Sequence, residues 1–220
     1  YNVDMKKLYV VRHGETVAKT NKNAEGVLDP LVSGWLDTPL TEKGIGEMFA
    51  VGKKYKDIRF DAVFCSPLIR SRQSAKAFLE GAGQSDLYLQ IVELPELLEI
   101  NYGRHEGMSA SEVDKEKKAF FGTDEGKAVD GLGYSFPGTH PEYGEQESFR
   151  VGADRYAQAL KNLASSNDGQ NILVISHSGV MRALQLCGKI QSAGAEIGKD
   201  LKFGEVILLE SDGEKLDLVQ

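Results

Sequence analysis

Leu8-Tyr9-Val10-Val11-Arg12-His13-Gly14-Glu15-Thr16 decides how the chain is read. Four apolar residues, too few for a helix core, form a run with the length and β-branched content of a buried strand. The run stops abruptly at Arg12 and His13, and two further stretches repeat this pattern. Asp61 to Ser66 (DAVFCS) is a second buried strand, stopped by Pro67 and leading to Arg70. Asn171 to Ser176 (NILVIS) is the clearest strand and runs into His177-Ser178-Gly179. Leu89 to Leu94 is a weaker one.

Helical spacing separates these strands. Thr41 is the expected N-cap of a helix over Glu42 to Lys56, with Glu42 in its first turn. Ile69 to Gly81 reads as a helix ended by glycine. Glu147 to Ser165 places Phe149, Ala153, Tyr156, Leu160 and Leu163 on one face, and Gly179 to Leu186 follows the last parallel strand. Glu205 to Glu210 and Lys215 to Val219 flank Ser211-Asp212-Gly213 as a hairpin. Alternating strand and helix predicts one α/β domain over residues 1–220, a three-layer sandwich with a mostly parallel central sheet.

Residues 108–146 break the alternation, with six glycines and two prolines. A helix over Ser109 to Phe121 fits; the rest reads as a long loop. Such loops often cover active sites, so the stretch is expected to be a lid-like insertion.

The 220 residues are 41% hydrophobic and carry a formal net charge of -7. That balance argues against nucleic-acid binding, which needs clustered Lys and Arg. No apolar run approaches a membrane span. The start, Tyr1 to Lys7, is short and polar, unlike a secretory signal, and Met5 followed by two lysines reads as a natural start, so a cytoplasmic protein is expected. Cys65 and Cys187 sit in apolar runs as reduced thiols, and no Cys/His spacing suggests a metal site.

Function lies at the strand ends. In open α/β sheets, ligands bind outside the carboxyl ends of the strands. Two arginines, Arg12 and Arg70, and two histidines, His13 and His177, therefore converge on one crevice. Guanidinium groups suit phosphate oxygens, and neighbouring cations keep an imidazole neutral and nucleophilic.

These residues sit in motifs that resemble the histidine phosphatase superfamily, in the branch that holds cofactor-dependent phosphoglycerate mutases and related phosphatases. The resemblance covers nearly the whole chain: Arg12 to Thr16, Gly34-Trp35-Leu36-Asp37 to Gly44, Ser66 to Ala75, Leu98-Glu99-Ile100 to Gly107, and Ser176 to Gly179. It implies that His13 attacks phosphorus and forms a phosphohistidine. Arg12, Arg70 and His177 would bind the phosphoryl oxygens, helped by the Ser178 N–H at a helix start. Glu99 would protonate the leaving oxygen and then activate water. No metal and no cofactor is implied, and the expected partner is a small phosphorylated substrate.

The remaining polar residues receive structural roles: Glu15 as a local partner, Arg72 in solvent or a salt bridge, His105 in packing, His140 at the surface. Glu15 and Glu106 are next in line as acid if Glu99 is not. Relatives often carry an asparagine three positions after the motif threonine, where this chain has Lys19, with Asn21 and Asn23 close behind. Either an asparagine supplies that contact or Lys19 touches the phosphate itself. The stretch from His105 to Glu147 has no arginine, and its lysines, Lys115, Lys117, Lys118 and Lys127, are assigned to a solvated helix face or to loop, with Lys19 or one of these lid lysines as the alternative partner for a carboxylate. The expected activity is hydrolysis of a phosphate ester. A phosphoglycerate mutase is the alternative, and a non-catalytic phospho-ligand binding protein the second alternative.

Overall fold

The computed structural model describes residues 5–128, 130–192, 196–198 and 201–219. Tyr1 to Asp4 lie outside the described residues. Seven strands form the central sheet: β1 (Lys6–Arg12), β2 (Ala62–Cys65), β3 (Ile91–Glu93), β6 (Asn171–Ser176), β7 (Gln191–Ser192), β8 (Val206–Ser211) and β9 (Leu216–Leu218). Their order is β3-β2-β6-β1-β8-β9-β7. Only β8 runs against the others, so the sheet is mostly parallel, as expected.

Among the described residues, six α-helices accompany it: α1 (Glu42–Lys54), α2 (Ile69–Gly81), α3 (Ala110–Phe121), α4 (Asp124–Ala128), α5 (Phe149–Ser166) and α6 (Ser178–Leu186). The period-2 alternation of β1 builds the three layers. Leu8 and Val10 join Tyr156, Leu160, Val180 and Met181 on the α5/α6 face. Tyr9 and Val11 join Met48, Phe78 and Leu79 on the α1/α2 face. Such fully buried side chains each contribute about 1.5–3 kcal/mol.

Local chemistry fixes the boundaries. Thr41 Oγ1 accepts the Gly44 N–H at 2.9 Å and starts α1. Ser148 caps α5, so that helix begins at Phe149 rather than at Glu147. Gly213, at φ 94°, turns the β8–β9 hairpin, a conformation that suits glycine. The expected strand at Leu89 to Leu94 shortens to Ile91–Glu93, because Ser85–Gln90 winds into a 3₁₀ turn that leaves Leu89 fully exposed.

In the insertion the expected helix over Ser109 to Phe121 is present as α3, while the rest departs from its reading as a long loop. α3 starts at a capping box between Ser109 and Glu112. α4 follows, and β4 (Thr139–His140) pairs with β5 (Gly144–Glu145). Phe120, Phe121, Tyr134 and Phe136 pack together, Phe120 stacking on Tyr134 at 4.8 Å between centroids. His105 packs edge-on against Phe136. The segment has its own small core, tied to the main body by Asn101 Nδ2 donating to the Tyr143 carbonyl at 2.6 Å. No helix among the described residues is long and apolar enough to cross a membrane.

Candidate active site

Strand register brings the first and last motifs together. Arg12 lies opposite Ser176 in the β1–β6 ladder, and the His13 N–H donates to the Ser176 carbonyl at 3.0 Å. Both histidines thus leave neighbouring parallel strands at their carboxyl ends, with ring centroids 5.2 Å apart. The His13 Nδ1–H donates to the Gly14 carbonyl at 2.8 Å. That bond fixes the tautomer and leaves Nε2 with its lone pair free. Burial first, and then the Arg70 charge, hold His13 well below the usual imidazole pKa. A neutral ring with an unprotonated Nε2 is what nucleophilic attack requires.

A cavity of about 580 Å³ opens over this ring, lined by Arg12, His13, Lys19, Glu99, Tyr102 and Ser178, with α3 as its outer wall. Arg12 stacks on Phe203 with its guanidinium 4.2 Å from the ring centroid and donates to the Leu201 carbonyl. Burial lowers its pKa, and Glu99 and Glu205 oppose the shift.

Glu99 sits at the start of α6. Its carboxylate accepts the N–H groups of Gly179 and Val180, each at 2.8 Å, and that of Ile100 at 2.9 Å. It uses two of the helix's unpaired amides and faces the dipole's positive end. A Cβ at Gly179 would come within 2.5 Å of Glu99 Oε1, so glycine lets the carboxylate approach this closely. Ser178 opens the helix and faces the cavity.

Arg70 and His177 lie behind this front row. Both are fully buried, and neither lines the cavity. Arg70 donates to the carbonyls of Leu36 at 2.9 Å, Gly34 at 2.5 Å and Ser33 at 3.3 Å, while its Nε has no partner. His177 Nε2 is 3.4 Å from Ser71 Oγ, and its Nδ1 has no partner. Burial, then Arg70, hold His177 well below the ordinary imidazole value.

Three features escaped the sequence. Glu106, listed there only as a reserve acid, accepts the N–H groups of Gly34, Trp35, Leu36 and Tyr102 at 2.8–2.9 Å. Both its oxygens are therefore engaged in shaping the loop. Arg155 forks onto Glu147 at 3.0 and 2.7 Å and donates to the carbonyls of Glu96, Leu98 and Glu99. With Trp35 Nε1, 2.9 Å from the Glu99 carbonyl, it fixes the backbone that carries Glu99. Lys117, assigned to solvated surface, instead lines the cavity, because α3 turns that side inward. Periodicity of a short charged helix gives no signal for this.

Lys19, Asn21 and Asn23 differ in position. Lys19 lines the cavity, its pKa lowered by burial and then by Arg12. Asn21 and Asn23 are bound to the loop backbone at Asp29, Glu25 and Val27. Glu15 accepts from Thr41 and Lys43, Arg72 pairs with Glu93, and His105 meets Glu116, as local structural roles require. His140 is half-buried, accepting the N–H groups of Glu142 and Tyr143. Among the described residues no group of three His, Cys, Asp or Glu side chains is placed to hold a metal ion.

The comparisons agree with this architecture. An adenosylcobalamin/alpha-ribazole phosphatase of Salmonella typhimurium is 36% identical over 182 residues, covering 81% of this chain and 77% of that protein. A 2,3-bisphosphoglycerate-dependent phosphoglycerate mutase of Bartonella tribocorum is 39% identical over 108 residues, 48% of each chain. The crystal structure of phosphoglycerate mutase from Bacillus anthracis superposes with a TM-score of 0.76 at 22% identity, covering 100% of this chain and 95% of that one, which bears on the fold. With residues 8–215 matching the sequence profile described as the histidine phosphatase superfamily (branch 1), the chain belongs to that superfamily.

Proposed function

We propose that this protein hydrolyses a small phosphate monoester through a phosphohistidine at His13, without a metal ion. The observation that carries the reading is the hydrogen bond from His13 Nδ1 to Gly14, which leaves Nε2 bare beneath a cavity lined by Arg12, Lys19 and Glu99.

Substrate phosphorus sits in line with His13 Nε2. Arg12, Lys19 and the Ser178 N–H receive the phosphoryl oxygens, with Arg70 and His177 closing the site from beneath. Fixed positive charge of this kind stabilises the transition state of phosphoryl transfer. As the N–P bond forms and the P–O bond breaks, Glu99 gives its proton to the leaving oxygen. Water then attacks the phosphohistidine, Glu99 takes a proton back, and phosphate leaves with His13 neutral again.

Hydrolysis is preferred over the mutase reaction. A phosphatase relative is 36% identical over 81% of this chain, whereas the phosphoglycerate mutases that align over 82% of it are 28% and 29% identical. The insertion itself supplies no arginine to the cavity. A bare binding protein would need neither an activated histidine nor a carboxyl group beside it.

The test is phosphate release from p-nitrophenyl phosphate after exhaustive chelation, alongside interconversion of 2- and 3-phosphoglycerate with bisphosphoglycerate present. Chelator-resistant release with slow interconversion is expected. Fast interconversion with negligible release would favour the mutase, and activity restored only by added metal would remove metal independence.

A further inference from the structure

The catalytic cavity has a neighbour. A lobe of about 290 Å³ shares Arg12, Tyr102 and Ser178 with it and adds Phe149, Leu201 and Arg182. Among the described residues no Asp or Glu lines this lobe. Arg182 is half-buried on α6 and has neither a hydrogen bond nor an ion pair among the described residues. A guanidinium with five donors usually finds acceptors when it leaves open water.

Its position within the helix is informative. Ser178 and Arg182 are four residues apart, on one face of α6. At 1.5 Å rise per residue they lie about 6 Å apart along the axis, slightly more than one turn. Long helical side chains point back toward the helix N-terminus, so Arg182 is directed over the turn that begins at Ser178. In the first cavity, Lys117 reaches over the Tyr102 ring at 5.8 Å. The two lobes together hold Arg12, Lys19, Lys117 and Arg182 against Glu99 and Asp114. This is a cationic surplus in a chain of net charge -7.

We propose that the lobe beside Ser178 is a second oxyanion subsite, with Arg182 as its recognition residue, so that the preferred substrates are small phosphomonoesters carrying a second oxyanion group. This rests on the phosphomonoesterase reading for the location of the first phosphoryl group. The phosphoryl group occupies the His13 end, and the second group, a carboxylate or another phosphate, meets the guanidinium fork one turn along α6. Planar bidentate geometry fits either group. Lys117, in the first cavity, contributes charge.

Binding of stable ligands tests this without requiring turnover. ω-Phosphonocarboxylates with two to four methylenes are titrated against alkylphosphonates of matching length, using wild type, Arg182→Ala, Arg182→Gln and Lys117→Met. The expected result is a wild-type preference of about tenfold or more for the phosphonocarboxylate at one length. That preference falls below about threefold in both Arg182 variants, each with an unchanged circular dichroism spectrum. Arg182→Gln keeps the aliphatic stem and a hydrogen-bonding head, so it isolates the charge if Arg182→Ala folds poorly. Equal affinity for both ligand series at every length would overturn the proposal. So would a preference that survives both Arg182 variants, including one lost only in Lys117→Met. Phosphate release from p-nitrophenyl phosphate by the same wild-type preparation tests the phosphatase reading separately.

Discussion

Glu106 and Arg70 grip the same two residues from opposite sides: the N–H groups of Gly34 and Leu36 donate to the Glu106 carboxylate, and their carbonyls accept from the Arg70 guanidinium. A buried cation and a buried anion thus stabilise each other through a loop rather than by direct contact. The loop gives Arg70 its acceptors, and Arg70 places a fixed positive charge beside His13.

Glu106→Gln is therefore a structural lesion. An amide oxygen cannot satisfy four N–H donors, and its NH₂ faces them. Unsatisfied buried donors cost about 1–3 kcal/mol each; with partial relaxation, about 3 kcal/mol of stability and a clear fall in turnover are expected. Urea unfolding measures the first and phosphate release the second. An unchanged unfolding midpoint would contradict this account of the loop.

Glu99→Gln keeps one of the two helix-start contacts, since the Gly179 and Val180 N–H groups donate to different oxygens, and it cannot give a proton. The expected loss is about 10²–10⁴-fold for alkyl phosphates and far smaller for p-nitrophenyl phosphate, whose leaving group needs no protonation. Equal losses on both would remove Glu99 from the acid role.

Arg155 acts on Glu99 through its backbone. Arg155→Met should lower kcat by about 10- to 100-fold, the scale of a misplaced catalytic group, with KM changed much less. The loss should be greater for poor leaving groups, as with Glu99→Gln. A purely structural role would instead lower stability and affect all substrates alike.

The buried histidines predict the acid behaviour. His13 and His177 are held well below the ordinary imidazole pKa of about 6.5, and burial lowers His105 to about 4. Below pH 6.5 the unfolded chain binds protons that the folded chain refuses. The stability these groups contribute is complete above pH 6.5 and is lost as pH falls toward their folded values, by about 1.4 kcal/mol per unit for each. Turnover should persist below pH 6, because His13 remains neutral. Denaturation of wild type and His177→Asn between pH 7 and 5 checks the slope, which the variant should reduce. A stability that rises on acidification would contradict neutral burial.

The sequence made the parallel strands and their terminal histidines readable, because apolar runs that stop at charged residues follow from sheet burial alone. α2 and α6 were bounded to within a residue. Within the insertion α3 was readable to within a residue, but the rest was not. Its core is a few aromatics meeting across turns, Phe120 with Tyr134 and Phe136, a contact that no periodicity announces. The inward turn of Lys117 was hidden for a similar reason, since α3 is charged nearly all round. Glu106 and Arg155 act on backbone amides and carbonyls, partners without a sequence signature.

The central claim is covalent catalysis by His13. His13→Ala should remain folded and lose about 10³-fold or more of its turnover. The most direct measurement is rapid quenching of wild-type enzyme with a ³²P-labelled substrate, followed by peptide mapping. The account predicts a phosphoryl group on His13 that is stable in base and labile in acid, formed as fast as turnover and absent from His13→Ala. Full turnover by a folded His13→Ala, or label found on another residue at a competent rate, would contradict it.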